Sequence, residues 1–101
     1  MELLTGNKKQ VFSFILSMKK PKKAPKDIET SVYLKCLGNR LKELRIKNGY
    51  TNYEYFAFEN GLGRSQYGKY EKGGNIQFDT LINIIKIHGM TVKEFFSEGF
   101  D

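Results

Sequence analysis

Gly61-Leu62-Gly63-Arg64-Ser65-Gln66-Tyr67-Gly68-Lys69-Tyr70-Glu71-Lys72-Gly73 decides how this chain is read. Glycines bracket one short stretch of helical spacing, about Arg64 to Glu71. Leu62 leads in, and Tyr67 and Tyr70 fall on one side of the helix. Arg64, Ser65, Gln66 and Lys69 fall on the other. Such a helix is fixed to its own domain by a thin apolar seam and turns hydrogen-bond donors outward.

Four further segments have apolar spacing of three and four, the helical period. The first runs roughly Ser31 to Lys47, with Leu34, Leu37, Leu41 and Leu44 as its buried stripe. Lys35, Arg40, Lys42, Glu43 and Lys47 fall mostly off that stripe, and Asn48-Gly49 ends it. The second runs roughly Asn52 to Glu59, capped by Thr51 or Asn52, with Phe56 and Ala57 inward. The fourth runs about Phe78 to His88, with Leu81, Ile84, Ile85 and His88 on its inner face and Gly89 as its stop. The fifth, about Val92 to Ser97, has Thr91 and Glu94 at capping-box spacing and Val92, Phe95 and Phe96 facing inward. No segment alternates as a strand does, so an all-α fold is expected. A core built from about seventy residues of short helices stabilises by only several kcal/mol.

The N-terminal region reads differently. Lys19 to Lys26 is Lys-Lys-Pro-Lys-Lys-Ala-Pro-Lys, whose charges and prolines oppose regular structure and predict an extended linker. The boundary falls near Asp27–Ser31, giving an N-terminal extension or basic arm over 1–30 and a domain over 31–101. Residues 1–30 carry seven lysines against Glu2, Asp27 and Glu29, so four of the six net positive charges lie there. The linker reads equally as an arm along DNA or as a solubilising spacer. Val11 to Leu16 (Val-Phe-Ser-Phe-Ile-Leu) follows Lys8-Lys9. It is short for a secretion signal and lacks a small-residue cleavage site, so it reads instead as a local packing element. Met18 is a plausible alternative start. No apolar run reaches the length of a membrane span. The lone Cys36 excludes an intramolecular disulfide and a cysteine-cluster metal site. A cytoplasmic location is therefore expected.

At 28% charged residues, 40% hydrophobic residues and a pI near 9.4, the chain favours anionic partners. Arg64 and Gln66 carry the two chemistries that read duplex DNA: a guanidinium pairs with guanine O6 and N7, and an amide with adenine N6 and N7. The sequence has no carboxylate pair, metal cluster or nucleophile with its base, so no enzyme, cofactor or metal is expected. Gly63 to Lys69 matches Gly-x4-Gly-Lys, but Tyr70 follows where a phosphate-binding loop needs Ser or Thr, and no strand precedes it. His88, without companion ligands, reads as a buried or half-buried neutral side chain. Cys36 reads as an apolar filler. The tyrosines at 50, 53, 55, 67 and 70 read as core or rim, except Tyr53, whose hydroxyl could reach a phosphate.

Residues 38–96 resemble the lambda-repressor-like, Cro/C1-type helix-turn-helix domain, the XRE family. The resemblance rests on the joint order of Leu41-Lys42-Glu43-Leu44-Arg45, Gly49-Tyr50-Thr51, Phe56-Ala57, Gly61-Leu62, Arg64-Ser65-Gln66-Tyr67, Tyr70-Glu71-Lys72-Gly73, Thr80-Leu81 and Thr91-Val92-Lys93-Glu94-Phe95-Phe96, with one extra residue near Asn52. It implies a compact five-helix bundle binding double-stranded DNA. Arg64, Ser65 and Gln66 would read bases, with Lys69 one turn on. Thr51, Asn52 and Tyr53, then Lys72 and Asn75, would hold the backbone. It also implies a structural ion pair between Arg45 and Glu71. Gly63, Gly68 and His88 depart from the usual pattern without altering the fold. The expected role is a transcriptional regulator, a repressor acting on a short operator. A homodimer is expected, with Ile82, Ile87, Phe100 and the turn around Phe96 as its surface. The alternative is the antitoxin of a toxin–antitoxin pair, with a toxin as protein partner.

Overall fold

A computed structural model describes residues 27–101, which form five helices and, among the described residues, no strand. They are α1 (Ile28–Lys47), α2 (Tyr53–Glu59), α3 (Arg64–Glu71), α4 (Phe78–Ile87) and α5 (Val92–Phe95). The lysine-rich linker and Val11–Leu16 lie outside the described residues.

α1 begins three residues before Ser31. The Asp27 carboxylate accepts the Thr30 N–H at 2.7 Å, which satisfies an orphan donor of the first turn. Glu29 then sits favourably at the positive end of the helix dipole. Leu37, Leu41 and Leu44 are buried as the stripe requires, and Leu34 is packed at its edge.

Arg40 contradicts its expected place off the stripe, being only 5% exposed. Its Nε donates to the Phe95 carbonyl at 2.8 Å and Nη2 to the Glu94 carbonyl at 3.1 Å. These carbonyls end α5, where Glu94 also accepts from the Ser97 hydroxyl, so a cation from α1 adds donors to the negative end of the helix. The guanidinium also lies over the Phe95 ring, 5.5 Å from its centre.

The core joins Leu41, Phe56, Ala57, Tyr67, Leu81, Ile84, Ile85 and Phe95, one or more from each helix. α4 presents Leu81, Ile84 and Ile85 inward, as its spacing predicts. It ends at Ile87, and His88 becomes its C-cap, half-buried and stacked on Phe56 with centres 5.3 Å apart. At α5 the capping box forms: Thr91 Oγ1 accepts the Glu94 N–H, and Glu94 Oε1 accepts the Thr91 N–H.

The helix that follows is shorter than expected and buries only Phe95. Val92 and Phe96 remain 41% and 40% exposed, because four residues give too little surface to bury three side chains. Ile82, Ile87 and Phe100, expected on a dimer surface, are partly buried and pack against the core of their own chain.

Candidate nucleic-acid interface

α2 and α3 meet through a tight turn. Asn60 ends α2, Gly61 follows with φ of +72°, and the Leu62 N–H returns to the Ala57 carbonyl at 2.8 Å. The left-handed backbone at Gly61 is one that side-chain-bearing residues rarely adopt, so the turn depends on glycine there. α3 then starts at Arg64 from Gly63, which offers no side-chain cap.

The two faces of α3 separate cleanly. Tyr67 and Gly68 are buried; Arg64, Ser65, Gln66 and Lys69 are exposed. Four contacts fix the angle at which that outer face is held. Tyr67 is fully enclosed and lies 5.2 Å from Phe56, ring centre to ring centre. Gly68 touches Tyr53 of α2 so closely that an added Cβ would fall 2.5 Å from the ring. Gly38 of α1 does the same for the end of α3, where a Cβ would meet the Glu71 carbonyl oxygen at 2.5 Å. Backbone cannot swing aside as a side-chain tip can.

The fourth contact is ionic. Arg45 donates from Nε to Glu71 Oε2 at 2.8 Å and from Nη2 to Oε1 at 2.9 Å, a bidentate pair. Its remaining Nη1 donates to the Tyr50 carbonyl at 2.8 Å, tying the loop before α2 to the same group. Both side chains are nearly covered, at 5% and 7% exposure. The hydrogen bonds to Glu71 hold the Arg45 pKa above its ordinary value. Beside them the Tyr67 hydroxyl is buried without a hydrogen bond of good geometry. Burial first, then the Glu71 carboxylate, push its pKa far upward, so it stays protonated.

At the start of α2, Asn52 is the cap: its Oδ1 accepts the N–H groups of Glu54 and Tyr55. That leaves the Asn52 amide hydrogens free to donate outward, while Thr51 is exposed beside it. Tyr53 is half-buried, its ring edge lying along Gly68. Lys72 caps the C-terminus of α3 and is exposed, as is Asn75 in the loop beyond. The structure thus puts Arg64, Ser65, Gln66 and Lys69 on one helix face. Thr51, Asn52 and Tyr53 come from the neighbouring helix start, and Lys72 and Asn75 from the loop after α3.

One participant escapes the sequence reading. Phe58 of α2 is 67% exposed, and the Arg64 guanidinium lies 5.6 Å from its ring centre. With Asn52, Glu54 and Tyr55 these two line a shallow hollow of about 310 Å³. Their sequence spacing carries no sign of this contact, since only the turn at Gly61 folds one back over the other. Among the described residues no group of His, Cys, Asp and Glu could hold a metal ion, and no helix is long and apolar enough to cross a membrane.

This architecture, a scaffold helix and a tight turn presenting a second helix with a polar outer face, defines a helix-turn-helix protein. The sequence model of the helix-turn-helix family matches residues 41–95, over half of the chain, and the chain belongs to that family in its Cro/C1-type, XRE branch. It is a DNA-binding regulator of that class. No curated protein and no solved structure gives a significant match.

Proposed function

We propose that the chain is a repressor that reads a short operator through the first turn of α3. One observation carries the reading most: Tyr67 and Gly68 are sealed inside while Arg64, Ser65, Gln66 and Lys69 stand exposed on the opposite side of the same two turns. Arg64 pairs with guanine O6 and N7, and Gln66 with adenine N6 and N7, each discriminating by about 1–3 kcal/mol. Ser65 lies between them and donates to a base edge or a nearby phosphate. Lys69 and Lys72 neutralise phosphates; Thr51, Asn52, Tyr53 and Asn75 fix the register. One such helix reads too few base pairs for selectivity in a genome, so two copies occupy a two-fold operator.

Selection of bound duplexes from a random pool tests this. A recovered motif with two half-sites about one helical turn apart is the expected result. Arg64→Ala and Gln66→Ala then each relax the preference at one position while helicity is kept. If both can be replaced without loss on the best duplex, the recognition face is wrongly assigned.

A further inference from the structure

A second surface, formed by α1 and the C-terminal residues, is apolar and has no place in the reading above. The first half of α1 and the C-terminal residues form a groove of about 430 Å³, lined by Thr30, Tyr33, Leu34, Leu37, Phe96 and Phe100. Nearly all of its wall is carbon. Phe96 meets Phe95 edge-on and Phe100 at a tilt, each with ring centres 4.9 Å apart, which stiffens one side. Tyr33 is half exposed, as is its neighbour Val32 at 52%, and Ile28 at the start of α1 is 84% exposed. A continuous apolar surface of this kind marks a binding site more often than a bare face.

We propose that this groove is the docking site for Val11–Leu16 of the same chain. Four features of the chain favour that occupant. Val11-Phe-Ser-Phe-Ile-Leu16 is the one apolar run in the 27 residues that lead into α1. Those residues enter the domain at Asp27, and the groove begins at Thr30, so the chain arrives at the mouth of the site.

Reach is sufficient. Eleven residues, Ser17 to Asp27, separate the run from α1 and span at most about 36–40 Å when extended. The stretch of α1 from Thr30 to Leu37 is only about 10 Å long. A tether of that length holds the run at an effective concentration in the millimolar range, so a weak apolar contact is enough to keep it docked.

Charge is complementary. The run is flanked by Lys8-Lys9 and Lys19-Lys20. The groove is flanked in sequence by Asp27 and Glu29 beside Thr30 and by Asp101 after Phe100, while Glu98 is paired with Arg40 at 3.6 Å. Phe12 and Phe14, two residues apart, supply aromatic rings to a wall already made of Tyr33, Phe96 and Phe100.

The test uses the full chain with Cys36→Ala and a nitroxide on Ser13→Cys, observed by NMR without DNA. Signals of Tyr33, Leu34, Leu37 and Phe100 broaden within one molecule. Phe12→Asp with Phe14→Asp abolishes the broadening and lowers the thermal midpoint by several degrees. Tyr33→Glu, on the half-exposed wall, abolishes it too. Absence of broadening at those four residues overturns the proposal. So does broadening seen only when labelled chains are mixed with isotope-enriched unlabelled ones, which would make a second copy the occupant.

Discussion

Arg64 illustrates how much a single neighbour decides. An exposed arginine samples many rotamers, and ordering it on binding costs about 0.5–1.5 kcal/mol. The Phe58 ring under its guanidinium, at 5.6 Å, favours a place for it at the start of α3 before any ligand arrives. Phe58→Ala is expected to weaken binding to a guanine-bearing duplex about 3- to 10-fold, and Phe58→Tyr to restore it, by fluorescence anisotropy. In an Arg64→Ala background the same Phe58→Ala change has no further effect, because the residue it positions is gone. His88 shows the opposite case, a polar group stabilised by being kept neutral. Burial first and Arg40 second lower its pKa, and its Nε2 is enclosed without a partner. Asn48 Nδ2 meets its Nδ1 at 2.6 Å. In the unfolded chain the imidazole takes a proton near pH 6.5, in the folded chain only at lower pH. The unfolded state therefore binds more protons in that interval, and stability rises with pH through it. The contribution is complete above about pH 6.5 and is lost as pH falls through the folded value. His88→Leu removes that slope in urea titrations between pH 5 and 7; an unchanged slope would place the responsible group elsewhere.

At the scale of elements, α3 is too short to be stable alone, since isolated helices below about 12 residues are marginal in water. Its angle comes from what grips it: the Arg45–Glu71 pair at one end, Tyr67 in the middle and the two glycine contacts. Breaking a buried pair strands one charge and costs about 3–5 kcal/mol. Arg45→Ala is expected near the lower figure, since the pair lies at the edge of the core, and urea unfolding monitored by circular dichroism reads it directly. The double change with Glu71→Ala recovers part of the loss, because no charge is then left unpaired. Gly38→Ala is expected to reduce DNA affinity with less effect on helicity, since α3 must shift away from α1 to admit a methyl group 2.5 Å from the Glu71 oxygen. The elements themselves were legible in the sequence. Leu37, Leu41 and Leu44 keep helical register, and the turns are marked by glycine. Arg40 was not legible, because its partners are carbonyls 54 and 55 residues away and no local pattern announces them. Val92 and Phe96 misled in the other direction: apolar spacing says which face is inward but not whether a four-residue helix has room to cover it. The outward face of α3 could be read from its own residues. Phe58 could not, because its place beside Arg64 is made by a turn between two elements.

Across the whole molecule, charge and recognition are carried by different parts. Residues 31–101 hold only two of the six net positive charges, so the folded domain places a few cations accurately and contributes modest long-range attraction. Four of the six net charges lie in residues 1–30. Each phosphate neutralised contributes about 0.9 to the slope of log K against log salt on duplex DNA. Changing Lys19, Lys20, Lys22, Lys23 and Lys26 to Gln is therefore expected to flatten that slope by up to about 4.5, for the selected operator and for random duplex alike. Lys69→Ala flattens it by about 1, also on both, while Arg64→Ala lowers operator affinity more than random affinity. Because lysine ammonium groups neutralise phosphate without distinguishing bases, the ratio of operator to random binding should survive the five lysine changes. A ratio that collapses would show that the extension reads sequence itself; a slope that does not move would make it a spacer that leaves DNA untouched.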